Sequence, residues 1–185
     1  IADVCAGGVI GFDDDTTIYL VSELLLNQRL TIDGNGHSIT VSGDTGNDGG
    51  PGGLGNTRVF HIGAGGDVTL DYLRIVSGTA TEGGGIVNYG DLIVQNSTLA
   101  DNQADSGGGG IVNYGDLIVQ NSTLTDNQAD RGGGIFNQSE QMMVRNSTLS
   151  GNRATDLGGG IFNHADGRLG VQHCTLSHNA AAGNG

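Results

Sequence analysis

The sequence predicts an all-β chain, folded as a single-domain right-handed parallel β-helix of about six to seven coils with a period of about 25 residues. Two observations carry that prediction. Residues 83–105, GGGIVNYGDLIVQNSTLADNQAD, return at 108–130 with Ala100 replaced by Thr125 as the single change. Glycine supplies 36 of 185 residues while proline supplies one, and no triplet period is present, so the glycines punctuate packed segments rather than form a linker or a collagen.

Taken in order, residues 1–29 read as N-terminal strands and a first coil, with Thr17–Leu20 as one strand. Residues 30–80 read as irregular coils. Leu30–Val41 folds as two strands about a tight turn, a glycine-rich loop spans 43–56, and Val68–Ile75 repeats the strand and corner of later coils with Leu70 over Val94 and Ile75 over Leu99. Residues 81–180 hold four regular repeats and 181–185 a short tail. Anchors recur at Ile86, Ile111, Ile135 and Ile161, at Val94, Val119, Val144 and Val171, and at Leu99, Leu124, Leu149 and Leu176. Between them lie short alternating segments such as Asp91–Gln95, bounded by Gly and Asn, and no segment has helical periodicity. Each coil is therefore expected to hold three short strands and three turns, stacked at about 4.8 Å into a rod roughly 30 Å long.

Three asparagine columns follow from the period: Asn88, Asn113, Asn137 and Asn163; Asn96, Asn121 and Asn146; Asn102, Asn127, Asn152 and Asn179. Asparagine tolerates a left-handed corner and its amide bonds to the next amide along the axis, so all three are expected to mark corners. The Asn-Ser-Thr sequons at Asn96, Asn121 and Asn146 arise from the repeat itself, and corner amides are poor glycosylation acceptors.

Twenty acidic residues stand against seven arginines and no lysine, for a net charge of -13, which argues against nucleic acid as a partner. No apolar run reaches the roughly 20 residues of a membrane-spanning helix. The chain starts at Ile1 rather than Met, and the reading taken is a secreted, extracellular or cell-surface protein after removal of a signal peptide.

The pairing of Gly-Gly-x-Ile with a downstream Leu-x-x-Asn (Leu99–Asn102, Leu124–Asn127, Leu149–Asn152, Leu176–Asn179) resembles the GGA(I/L/V) and FxxN tetrapeptides of polymorphic outer membrane protein repeats in bacterial autotransporter adhesins, with Leu in place of Phe. It is similar too to bacterial surface proteins known only as parallel β-helix repeats. The resemblance spans about residues 30–180 and implies a surface-exposed, non-enzymatic protein; no C-terminal barrel sequence accompanies it.

Parallel β-helices that cleave polysaccharides need clustered carboxylates, or basic residues with calcium, in a groove built by insertions. Here Asp91, Asp116, Asp101 and Asp126 recur with the repeat, the arginines are scattered, and Asp13–Asp15 reads as a polar turn, so no catalytic residues and no cofactor are expected. Asp44, Asn47 and Asp48 suggest part of a calcium loop but lack its closing acidic residue. The threonine column Thr98, Thr123, Thr148 and Thr175 lacks the paired Thr-x-Thr arrays of ice-binding solenoids. His37, His61, His164, His173 and His178 show no metal spacing, and His173 stands where its coil would have the corner Asn.

Alternation turns Val87, Val112, Phe136 and Phe162 outward, along with Ile93, Ile118 and Met143, as an exposed apolar stripe that a neighbouring chain or a terminal segment would cover. Neither end carries a helix that would cap the strand edges, so copies of the chain are expected to stack head to tail. Cys5 and Cys174 fall at opposite ends of such a rod, too far apart to pair internally but placed for an intermolecular disulfide. The leading expectation is thus a self-assembling fibre subunit whose partner is itself; the alternative is an adhesin-type module binding carbohydrate or host protein.

Overall fold

The structure, a computed structural model, describes residues 7–45, 56–139 and 141–183. It is a parallel β-solenoid of about seven turns with a period near 25 residues, and no helix occurs among the described residues. Four parallel sheets run along the axis. The first stacks seven strands from Gly8–Ile10 to Leu169–Gln172, and the second seven from Thr16–Tyr19 to Thr175–Ser177. The third stacks six, from Leu24–Leu26 to Ile161–Asn163, and the fourth five, from Thr79–Glu82 to Ala180–Ala181. The anchors pair as the period requires: Leu70 with Val94, Ile75 with Leu99, Ile86 with Ile111, and Val119 with Val144.

A regular coil therefore holds four strands, not three. The strand missing from the sequence reading, Gln103–Gly107 in one coil and Gln128–Arg131 in the next, turns a single apolar side chain inward, Ala104 or Ala129. One alanine flanked by polar residues gives no readable alternation; the strand is held by pairing to its copies on either side.

The bore is filled by branched aliphatic side chains, with Val94, Leu99, Ile111, Val119, Leu124, Ile135, Val144 and Leu149 all fully buried. Burying each contributes roughly 1.5–3 kcal/mol, and every coil repeats the set, so cohesion is spread evenly along the axis.

Two corners share one device. A residue in the left-handed region turns the chain, and the next, inward, side chain takes over ladder bonding. Between the first and second sheets the turning residue is Asn96 (φ 49), Asn121 (φ 51), Asn146 (φ 49) or His173 (φ 53). The following Ser97 donates its hydroxyl to Gln95 O at 2.7 Å and accepts Leu73 N at 3.0 Å. Cys174 occupies this serine column in the last coil, its thiol directed to Gln172 O at 3.2 Å. Between the second and fourth sheets the turning residue is Asp101, Asp126, Gly151 or His178. Here the asparagine column was misplaced by one residue: Asn102, Asn127 and Asn152 do not turn the chain but lie buried just after the turn. Asn88, Asn113 and Asn137 likewise close the strands of the third sheet and are buried without left-handed φ.

Both buried columns are continuous amide ladders. Asn88 Nδ2 donates to Asn113 Oδ1 at 2.8 Å, Asn113 to Asn137 at 2.9 Å and Asn137 to Asn163 at 2.8 Å. Asn102, Asn127 and Asn152 each donate to the next Oδ1 at 2.9 Å, ending on Asn179. The Asn96 column differs: Asn96 donates to Asp71 at 2.8 Å, and Asn121 reaches Asn96 at 3.3 Å. Burial without a partner costs an amide about 1–3 kcal/mol per orphaned group, which is why the inner columns are fully bonded and the outer one need not be.

Candidate functional site

The expected apolar stripe is divided between two sheets, and none of its seven residues is exposed. Val87, Val112 and Phe136 are 2%, 0% and 8% exposed and Phe162 is half-buried. They point out of the bore, yet the fourth sheet folds back over them and makes a second apolar cluster, joined by Tyr114. Gly107 makes room for it, since a Cβ there would lie 3.3 Å from the Phe136 ring. Phe136 and Phe162 stack at 5.3 Å, and the Arg131 guanidinium lies 5.7 Å and 6.0 Å over their rings. The cover comes from the chain's own fourth strand, which the sequence reading lacked. Ile93, Ile118 and Met143 lie on the first sheet and are half-buried. Beside them, Asp116, Ile118, Gln141, Met143, Arg168 and Gly170 border an open depression of about 580 Å³.

Where the fourth sheet begins, a polar cluster replaces this apolar cover. Arg58 donates through Nε to Gly83 O at 3.0 Å and through Nη2 to Glu82 O at 2.9 Å, while Nη1 pairs with Glu23. Glu23 also meets His61 Nδ1 at 3.1 Å. The guanidinium caps carbonyls of the sheet's first strand, and Glu23 holds it there. Next to it, Tyr114 donates its hydroxyl to Glu82 at 2.8 Å, and the Tyr89 and Tyr114 rings stack at 5.0 Å and 9°. Burial, with the Glu82 carboxylate beside it, pushes the Tyr114 hydroxyl far above the ordinary tyrosine range. Glu23, Arg58 and His61 are thus bonded to one another, as are Tyr114 and Glu82, and both sets tie neighbouring coils together.

Burial tends to raise the Glu23 carboxyl, but the His61 hydrogen bond and the Arg58 charge outweigh it, and the group sits below its ordinary value. A carboxyl lowered on folding adds stability that is complete above its unfolded value and fades as pH drops through the folded one. The cluster should therefore cost the protein stability on acidification below the usual carboxylate range. Melting temperature followed from pH 7 to pH 3 should fall less steeply for Glu23→Gln than for the parent chain; equal slopes would count against the cluster.

The remaining candidates are dispersed. Asp44 is buried, its N–H donating to Ser42 Oγ at 3.2 Å, while Asn47 and Asp48 lie outside the described residues. No group of three or more His, Cys, Asp or Glu placed to hold a metal occurs among the described residues. Asp15 accepts Ser38 N of the next coil at 2.8 Å. His37 stands 3.6 Å from Asp15 and His164 3.6 Å from Asp166. Cys174 is half-buried against the core, and Cys5 lies outside the described residues.

No protein-family model, no curated protein and no solved structure matches this chain. The resemblance to adhesin repeats thus rests on the Gly-Gly-x-Ile and Leu-x-x-Asn tetrapeptides, and the site must be read from geometry. In the last described coil Val171 and Leu176 are 43% and 51% exposed, whereas Val144 and Leu149, one coil earlier in the same columns, are 0% exposed.

Proposed function

We propose that the protein is a non-enzymatic, extracellular structural rod, a fibre subunit that elongates when the first coil of one copy seats on the last coil of another. The observation that supports this reading is the uniform register of the solenoid: each coil presents the next with the same apolar columns and the same strand edges, so coil-on-coil continuation between copies repeats contacts the molecule already makes. A heterologous contact of this kind does not close on itself and generates a filament. The polar groups of the lateral faces support the same reading, because Asp91 and Asp116 repeat with the coil, and Glu23 and Glu82 are tied to Arg58 and Tyr114. A disulfide between Cys5 of one copy and Cys174 of the next is the covalent form of the same joint.

Sedimentation velocity over a range of concentrations, with and without reductant, tests the proposal. Species growing in steps of the 18.8 kDa chain with rising concentration are expected. A single monomer boundary at every concentration would overturn the fibre reading and favour an adhesin-type module that binds carbohydrate or another protein.

A further inference from the structure

We infer that Asn35 is a site of spontaneous covalent modification, where the Gly36 backbone nitrogen attacks the side-chain amide and converts the residue to aspartate and isoaspartate. Among the described residues Asn35 is the one asparagine followed by glycine. It lies in the turn that joins Arg29–Asp33 of the first sheet to Ile39–Ser42 of the second. The first of these strands pairs with a coil on either side, so the turn belongs to the body of the solenoid.

The base of this turn is fixed and its tip is free. Gly34 N–H donates to Asp71 O at 2.9 Å, and a Cβ on Gly34 would lie 2.4 Å from Tyr72 O, so the backbone there is pressed on the following coil. Ser38 N–H is held by Asp15 at 2.8 Å. Between them Asn35 and Gly36 are exposed, Gly36 has a φ of 90°, and nothing lies within 4 Å of the place its Cβ would take. A single bond, His37 N–H to Gly34 O at 2.9 Å, closes the turn. Among the described residues neither the Asn35 carboxamide nor the Gly36 N–H is hydrogen-bonded.

The reaction needs the Asn35–Gly36 peptide to swing until the Gly36 nitrogen meets Asn35 Cγ. Glycine permits this, having no side chain to restrict the rotation. The bond from Gly36 N to Cγ forms and the Cγ–Nδ2 bond breaks; the proton lost by Gly36 N leaves with Nδ2 as ammonia, and the ring that remains is a succinimide. Water then opens one of its two C–N bonds. Opening at Cγ gives aspartate, whereas opening at the Asn35 main-chain carbonyl gives isoaspartate, whose backbone runs through Cβ and Cγ.

The ladder asparagines are protected by the bonds that make them ladders. Asn102 and Asn127 are buried, and each carboxamide donates to the next Oδ1 at 2.9 Å. The nitrogens that would attack them are occupied too, Gln103 N–H by Gly78 O at 2.8 Å and Gln128 N–H by Asn102 O at 2.9 Å. After Asn96 and Asn121, Ser97 N–H and Ser122 N–H donate to serine hydroxyls at 3.2 Å and 3.1 Å. Conversion at Asn35 adds a carboxylate close to that of Asp33, which accepts the Asn35 N–H at 2.8 Å.

The test holds the full chain in mildly alkaline buffer and samples it over weeks by ion-exchange chromatography and peptide mass mapping, with isoaspartate marked by enzymatic methyl transfer. A shift to a form with one added negative charge, isoaspartate in the Asn35 peptide, and loss of both in Asn35→Gln are expected. Gly36→Ala, for which the site has room, should slow the conversion several-fold while circular dichroism shows the coils intact. Absence of conversion at Asn35 in the folded chain would overturn the inference, as would equal conversion at Asn102 and Asn127, or aspartate without isoaspartate. An undiminished rate in folded Gly36→Ala would overturn the role given to the open glycine turn.

Discussion

Replacing Asn127 by alanine should cost about 3–5 kcal/mol, among the largest losses available to a single polar substitution in this chain. Asn127 lies mid-ladder and is fully buried. Its Oδ1 accepts both the backbone N–H of Asn102 at 3.1 Å and its side-chain Nδ2 at 2.9 Å. Its Nδ2 donates to Leu99 O at 3.0 Å and to Asn152 Oδ1 at 2.9 Å. Alanine would leave groups of three neighbouring residues short of a partner in the bore, where water does not reach. Aspartate would do worse, since it replaces the donor with a buried charge. Urea unfolding followed by circular dichroism should show the midpoint move sharply for Asn127→Ala and only modestly for Asn146→Ala, whose side chain is exposed at the outer corner. Similar shifts for the two would mean that the inner ladder does not hold the coils.

Gly109→Ala should be more damaging still and is expected to prevent the folded chain from accumulating. A Cβ at Gly109 would lie 2.4 Å from Gln128 O and 2.6 Å from both Gln128 N and Gly133 O. All three are backbone atoms of the adjoining coil, locked in place by their own pairing, so neither coil can yield without breaking ladder bonds on both sides. Gly36 is the contrast. Its φ of 90° strains any side chain, but nothing lies within 4 Å of the position a Cβ would take, so Gly36→Ala should cost only about 1–2 kcal/mol. Soluble yield and melting temperature of the two variants distinguish a contact limit from a backbone preference; equal tolerance would contradict the close stacking.

Much of the solenoid was legible because stacking turns a sequence period into a spatial column. The isoleucine, valine and leucine anchors needed only their spacing to be placed one above another, and they pair in that register. What escaped lay where the period carries no pattern. The fourth strand turns in only Ala104, Ala129 or Ala154, too little apolarity to mark an element. Because it was missed, Val87, Val112 and Phe136 were read as exposed: alternation tells which side chains leave the bore, not whether the same chain folds back over them. The corner was misassigned by one residue because Asp101 and Asn102 both suit a left-handed turn, and only hydrogen bonding decides that Asn102 faces inward. The Glu23–Arg58–His61 cluster left no signal at all. Its members come from irregular coils 35 and 38 residues apart, and no motif links them.

The claim that copies continue one solenoid is tested most directly by X-ray diffraction from aligned assemblies. Coil-on-coil stacking places the strand spacing of about 4.8 Å along the fibre axis, so a strong meridional reflection at that spacing is predicted. The same reflection lying on the equator would show that the rods associate side by side, and the end-to-end joint would be contradicted.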